Sequence, residues 1–545
     1  MLRLVLAGWL ACLSTSMLPA QTARKSASAV PADETAYQRA LAVAEPAAQL
    51  AAILQFFTNY PNSRSVPMMV GRAFAAATQG RAPNAQRSVA LAENVARRLA
   101  KASPMARSEA ARAIAQGLLA RNFAAEAEAY ARQATLDLNL EDHVARERQR
   151  YRQRVDLSTA RDPEYKALPF YVEEARERYR VQEAGAWATL ARALMKQGRD
   201  AEARQALVKS LAAARTADGA SAYAELAAKE GDTNTVLDAL GTAILTGKAD
   251  QGMLDRFQTA YRGAGMRMEA ERWLDSRYRR ESRNPLPISK YAGPTASPRR
   301  AVLVEIVTGA ACEACVAVDL AADALLQRYS RQDVVLLAHH MHAPSADPLV
   351  SPAAEARTRF YAASGTPTVI LDGETIEPGE GMGSVARPVF DAVDAAIQKR
   401  LAVPPEARID LKAWWSGTDL RVEAGIEGIA DAPGLQAKVF LVETEVSYSG
   451  ENGFRLHPMV VRSDAGFALK GATRVAAAFA VGELPGELRK SMESHLDGMR
   501  ARFPGGTFEL REERYQVDRK SLGVVAVVQD EATKRVLQTS FLRVE

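Results

Sequence analysis

Cys312-Glu313-Ala314-Cys315 is the segment in which residue type and spacing point most directly to chemistry. Thiols this close can join as a disulfide and reopen, and the thiolate is the attacking species in such exchange. The chain holds three cysteines, the third being Cys12. A stapling framework would use more cysteines spaced farther apart, and a structural zinc site built from cysteine alone needs four. The bridge closes too small a loop to stabilise a fold much, so redox exchange is the favoured role. Val316 follows Cys315, which excludes a haem-attachment motif; neither a phosphate loop nor a dinucleotide fingerprint is present, and no cofactor is expected. Three of the six histidines, His339, His340 and His342, crowd into one short stretch. Combined with the thiols they define an alternative: copper or zinc held by Cys312, Cys315, His340 and His342, as in a metallochaperone, or a scaffold without enzymatic activity.

The elements around this segment can be read in order. Ala301 to Val307 is an apolar run broken only by Glu305, which suits a strand buried on both faces. A turn at Gly309 leads to a helix opening at Cys312 and running to about Tyr329. A helix N-terminus favours a thiolate, so Cys312 is the expected nucleophile and Cys315, one turn on, the resolving thiol. Glu313 beside Cys312 opposes ionisation and argues for a less acidic, more reducing pair. Val334 to Ala338 reads as a second strand, followed by the histidine-rich loop. Ser351 caps a helix with Pro352 in its first turn and Arg357 and Arg359 on its wet face. Thr368 to Leu371 is a strand, Asp372-Gly373 a hairpin turn into Glu374 to Glu377, and Arg387 to Leu401 a closing amphipathic helix.

This order resembles the thioredoxin-like superfamily over about Arg299 to Leu401, a fifth of the chain. The combination that carries the resemblance is the C-x-x-C between a strand and a helix, with Gly365-Thr366-Pro367-Thr368 entering a strand about fifty residues later. The Thr-Gly-x-x-Cys lead-in and the histidines before Ala343-Pro344 are similar to an extracytoplasmic bacterial branch. The resemblance implies a cis Pro367 beside the cysteines, a Thr366 backbone that pairs with an extended substrate, and a buried acid on the first strand as proton shuttle. Glu305 is the candidate for that acid. Two departures stand out: Ala311 replaces the familiar Trp before the first Cys, and Glu313-Ala314 replaces Gly-Pro.

At 545 residues several domains are expected. Arg3, the apolar Leu4 to Leu13 and the small residues to Ala20 read as a signal peptide over 1–22, too short to span a bilayer, which implies an exported, periplasmic or envelope-associated protein. Residues 33–291 are rich in Ala, Leu, Glu and Arg. Trp187 to Leu194 with Ala203 to Ser210, and Ala111 to Leu118 with Ala127 to Ala134, have the offsets of paired helices with small residues at the crossing, which resemble tetratricopeptide repeats. Such an array offers surfaces to protein partners. Pro and Gly between 284 and 300 mark a linker. Residues 404–545 read as a mainly-β, sandwich-like domain with one inserted helix over Glu483 to Met499. The sequence thus predicts a multidomain chain: a helical repeat-like array, an α/β domain over 299–402 and a β domain. A net charge of +5 without a basic stripe argues against nucleic acid, and no segment is apolar enough for a membrane span. The function implied is thiol–disulfide exchange with protein thiols and disulfides.

Overall fold

A computed structural model of the chain describes residues 31–79, 84–154, 163–282, 284–293, 299–429, 434–469, 473–503 and 508–545, without the side chains of 151–171. The expected signal peptide and Cys12 lie outside the described residues.

Among the described residues thirteen helices precede the first strand: α1 (Ala32–Leu41), α2 (Pro46–Asn59), α3 (Val66–Thr78), α4 (Ala85–Arg98), α5 (Pro104–Leu119), α6 (Ala124–Leu136), α7 (Leu140–Arg154), α8 (Pro163–Lys196), α9 (Asp200–Ala213), α10 (Ala217–Lys229), α11 (Thr233–Leu245), α12 (Gln251–Gly263) and α13 (Ala270–Glu281). The expected helix pairs are α5 with α6 and α8 with α9. Small residues make both crossings: Ala131 and Ala134 on α6, and Ala203 and Ser210 on α9, are fully buried. Ile53, Phe57, Phe74, Ile114, Leu118 and Leu194 fill the array's core.

The chain then forms β1 (Val302–Thr308), α14 (Val316–Arg328), β2 (Val334–His340), α15 (Pro352–Tyr361), β3 (Thr368–Leu371), β4 (Glu374–Ile376) and α16 (Ala386–Leu401). β1 runs parallel to β2 and antiparallel to β3, and β3 and β4 make the expected hairpin. Ser351 caps α15: its Oγ accepts from Ala354 N at 3.1 Å.

After residue 404 come β5 (Arg408–Ser416), β6 (Asp419–Glu427), β7 (Leu435–Ser447), β8 (Leu456–Ala468), β9 (Arg474–Phe479), α17 (Leu484–Arg502), β10 (Leu522–Asp530) and β11 (Val536–Arg543). Four of these strands do not stay with the others. They continue the first sheet, giving one eight-stranded order β11-β10-β7-β8-β2-β1-β3-β4. The sequence boundary at 404 is therefore crossed by one sheet and one core, in which Val304, Ile306 and Leu336 share a cluster with Phe440, Val442 and Val525. The sandwich-like character survives locally. β5, β6 and β9 form a three-stranded sheet whose Leu420, Val422 and Ile426 pack on Val439, Leu441 and Val524.

The expected linker is not a free tether. Asn284 Nδ2 donates to Leu320 O and Asp323 Oδ2 on α14, and Leu286 is buried in the sheet core. Among the described residues no helix is long and apolar enough to cross a membrane.

Candidate functional site

β1 delivers the chain at Thr308 into a tight loop. Cys312, with extended backbone, precedes a 3₁₀ turn over Glu313–Cys315, and the α-helix proper begins at Val316, a turn later than the sequence suggests. Cys312 and Cys315 form a disulfide with Cα atoms 5.3 Å apart. Cys312 is 6% exposed and Cys315 is fully enclosed, so the first cysteine alone reaches the surface. Thr366 Oγ1 donates to Cys312 Sγ at 3.4 Å. The Thr366-Pro367 peptide is cis, as is Ala343-Pro344. Thus Cys312, Cys315, Thr366 and Pro367 come together from two separated stretches.

The loop before Cys312 is held on every side. Ala310 N donates to Asp347 Oδ2 at 2.7 Å, and Asn452 N donates to Ala310 O at 3.1 Å. Asn452 Nδ2 reaches Gly309 O at 3.3 Å. Ala314 O accepts from Gly381 N at 2.8 Å.

Glu305 is not with them. Side chains alternate across a strand, so Glu305 and Thr308 project to opposite faces of β1. Thr308 faces α14, where its Oγ1 donates to Asp319 Oδ1 at 2.8 Å. Glu305 faces α15 and is completely buried there. Arg357 Nε and Nη2 donate to its two oxygens at 2.8 Å each, Tyr361 OH donates at 2.5 Å, and His339 Nε2 lies at 2.9 Å. Burial alone would raise this carboxyl, but the Arg357 guanidinium and His339 hold it far below the ordinary range. A carboxylate fixed in its ionised state on the far side of the sheet cannot shuttle protons to the cysteines. Arg357, expected on a wet helix face, is 3% exposed; its Nη1 also donates to Gln529 Oε1 on β10. Arg359 does face solvent.

A buried acid on the disulfide's side is Asp319, on the same helix as the polar Asp323 and Gln327. It lies one helical turn beyond Cys315, a spacing that places side chains next to each other. Burial lifts its carboxyl to about 7, against the Thr308 hydroxyl and the nearby His340. The signal that could have found it is the offset of four from Cys315 on a helix otherwise lined with alanines.

The histidines are dispersed among different partners. His339 joins Glu305. His340 Nδ1 lies 2.8 Å from Asp347 Oδ2. Burial would raise Asp347, but His340 and two backbone donors hold it at about 2. His342 stacks on His495 of α17 with ring centroids 3.6 Å apart. His457 is buried on β8, its ring 5.1 Å from that of His340. Among the described residues no group of three or more His, Cys, Asp or Glu is placed to hold a metal ion. The alternative set Cys312, Cys315, His340 and His342 is therefore not assembled: Asp347 takes His340, His495 takes His342, and the thiols take each other.

Comparison with known proteins gives little. No protein-family model matches the chain, and no curated protein does. Among solved structures, a structural-genomics protein from Agrobacterium tumefaciens is 16% identical over 46% of this chain and 96% of that one, with a TM-score of 0.28. HBP35 of Porphyromonas gingivalis is 14% identical over 46% of this chain and 77% of that one, with a TM-score of 0.31. Likenesses this slight carry no argument about fold or activity.

Proposed function

We propose that the protein is an extracytoplasmic thiol–disulfide oxidoreductase acting on protein substrates through Cys312 and Cys315. The observation that carries this reading is the pairing of the two cysteines at the start of α14, with only Cys312 near the surface and Thr366 donating to its sulfur. The strand and helix order from β1 to α16, with Thr366-Pro367 entering β3, supports a thioredoxin-like architecture for this part.

In the reductive direction the Cys312 thiolate attacks a partner disulfide. The Cys312–partner bond forms, the partner's S–S bond breaks, and its leaving sulfur departs as a thiolate that takes up a proton. Cys315 then gives up its proton and attacks Cys312 Sγ; the Cys312–partner bond breaks, and the partner's second sulfur leaves as a thiolate that takes up a proton. The protein keeps the Cys312–Cys315 disulfide, the partner keeps two thiols, and two electrons have moved. Asp319, one turn beyond Cys315 and half ionised near neutral pH, is the group placed to take the Cys315 proton. The leader sequence supports a location outside the cytoplasm, where disulfides persist, and the helical array supports a role in holding partners.

The test is turnover of insulin disulfides by the full chain and by Cys312→Ser, with mixed disulfides trapped on Cys315→Ser. Turnover lost with Cys312, and partners captured on it, is the expected result. A wild-type chain that neither reduces nor oxidises a protein disulfide would leave only a scaffold.

A further inference from the structure

Glu313, between the two cysteines, does not face open water alone. Lys248, in the turn after α11, places Nζ 3.4 Å from Glu313 Oε1. Arg178, in the middle of α8, places Nη1 3.6 Å from Glu313 Oε2. Both cations belong to the helical array, more than sixty residues before the cysteines, and they come from different helical pairs.

The same region of the array is fixed to the disulfide loop by contacts too close to be incidental. Gly247, with φ of +69°, lies so near the 449–454 turn that a Cβ there would fall 1.7 Å from Gly450 O. A Cβ on Gly450 would in turn fall 2.5 Å from Ala310 O, two residues before Cys312. Array, turn and disulfide loop are stacked backbone on backbone, with no room for a side chain at either glycine. From α8, Glu177 accepts from Ser384 N at 3.0 Å, and Ser384 follows the segment whose Gly381 clasps Ala314 O. Asn284 pins the connecting segment along α14.

We infer that the helical array is a working part of the redox centre: Arg178 and Lys248 are positioning residues that, through Glu313, favour the ionised form of Cys312. This rests on the thiol–disulfide reading. Glu313 by itself disfavours a thiolate at Cys312. Lys248, and Arg178 shared with Glu174, neutralise the Glu313 carboxylate, so its opposition to a thiolate at Cys312 is offset. The other charged groups facing the loop are Glu174 and Glu177 on α8, Glu451 in the 449–454 turn, and Asp319, His340 and Asp347 beneath it. Glu174 is paired with Arg178, and Asp347 with His340. Favouring the thiolate stabilises the reduced pair, and a stabilised reduced form makes the couple more oxidising. The pull toward a more reducing couple expected from Glu313 alone is thereby offset.

The experiment uses the full chain with Cys12→Ser and Cys315→Ser, which leaves Cys312 as the single thiol. The pH dependence of its alkylation by iodoacetamide gives its apparent pKa directly, without any substrate protein. Lys248→Gln, at a 57% exposed side chain, is expected to raise that pKa by about 0.3–1 unit, and Lys248→Glu by more. Arg178→Gln should add to the rise, while Glu313→Gln should lower it. The shifts should shrink at high salt, as charge effects do and loosened packing does not. A pKa unmoved by both Lys248→Glu and Arg178→Gln, in variants with unchanged circular dichroism, overturns the inference. Insulin turnover by the parent chain is scored separately, so the oxidoreductase reading stands or falls on its own result.

Discussion

Glu305 and Asp319 are both buried acids at β1, yet they lie on opposite faces of its sheet, the first held below the ordinary carboxylate range and the second lifted above it. Glu305 is clamped as an anion by Arg357, whereas Asp319 has one hydroxyl donor and no cation in contact. Asp319→Asn should therefore slow the step in which Cys315 attacks, by about tenfold or more at pH 7, and flatten its pH profile. Single-turnover exchange with a mixed disulfide on Cys312 measures this step. An unchanged profile would remove Asp319 from the reaction.

Asp319 also predicts a stability change with a definite sign. Its folded carboxyl titrates at about 7, above the ordinary carboxylate value of 3.8. The folded state therefore binds more protons than the unfolded state between these values, and stability falls as pH rises through that window. Denaturant unfolding from pH 4 to 8 should show a loss on the order of a few kcal/mol that Asp319→Asn abolishes.

Arg357→Met leaves the Glu305 carboxylate buried without its main partner, and such losses cost about 3–5 kcal/mol. Glu305 is held below its ordinary value, so the stabilisation is present at neutral pH and disappears only in strong acid. Equilibrium unfolding checks the cost. The Cys312 alkylation rate in the folded variant should match the parent, since the pair faces away from the thiols.

Burial and its stacking partner His495 lower His342 to about 4. A histidine whose folded value is depressed loses stability as pH falls from the ordinary 6.5 toward that value. His495 is also lowered, by burial against the pull of Glu355. Acid should therefore part the two rings and free α17 from the loop after β2. Hydrogen exchange of α17 amides should rise between pH 6.5 and 4 in the parent, and less steeply in His342→Phe.

Gly450→Ala forces a Cβ into Ala310 O and must displace the loop that carries Cys312. Exchange should slow several-fold with both thiols present. Gly486→Ala on α17, where nothing lies within 4 Å, is the control and should leave the rate unchanged.

Local patterns were legible in the sequence. The paired helices Trp187 to Leu194 and Ala203 to Ser210, the Ser351 cap and the Asp372-Gly373 hairpin follow from spacing and turn chemistry, whereas the association of Thr366-Pro367 with Cys312 came from the resemblance to thioredoxin-like proteins. What escaped was pairing over long distances. The length of β8 went unread because Arg462, Ser463 and Asp464 interrupt its apolar run, and Arg462 is buried through Glu443 on β7 and Leu349 O. Arg357 looked solvated for the same reason: its partner is fifty-two residues away on another element. No periodicity announces that β8 will dock beside β2 and merge two expected domains.

That docking has a practical outcome. β8 covers the outer side of β2 along a thin seam, registered through Ala338 and Val460. A gene product ending at residue 402 would lose this cover, and every residue of Val334–His340 is buried in the intact molecule. Such a stump would present a naked, apolar rim of unpaired amides, the kind of margin along which chains stick to their own copies. Clumping of that fragment, and its rescue by adding 404–545 in trans, would be the behaviour of a single structure cut through its middle.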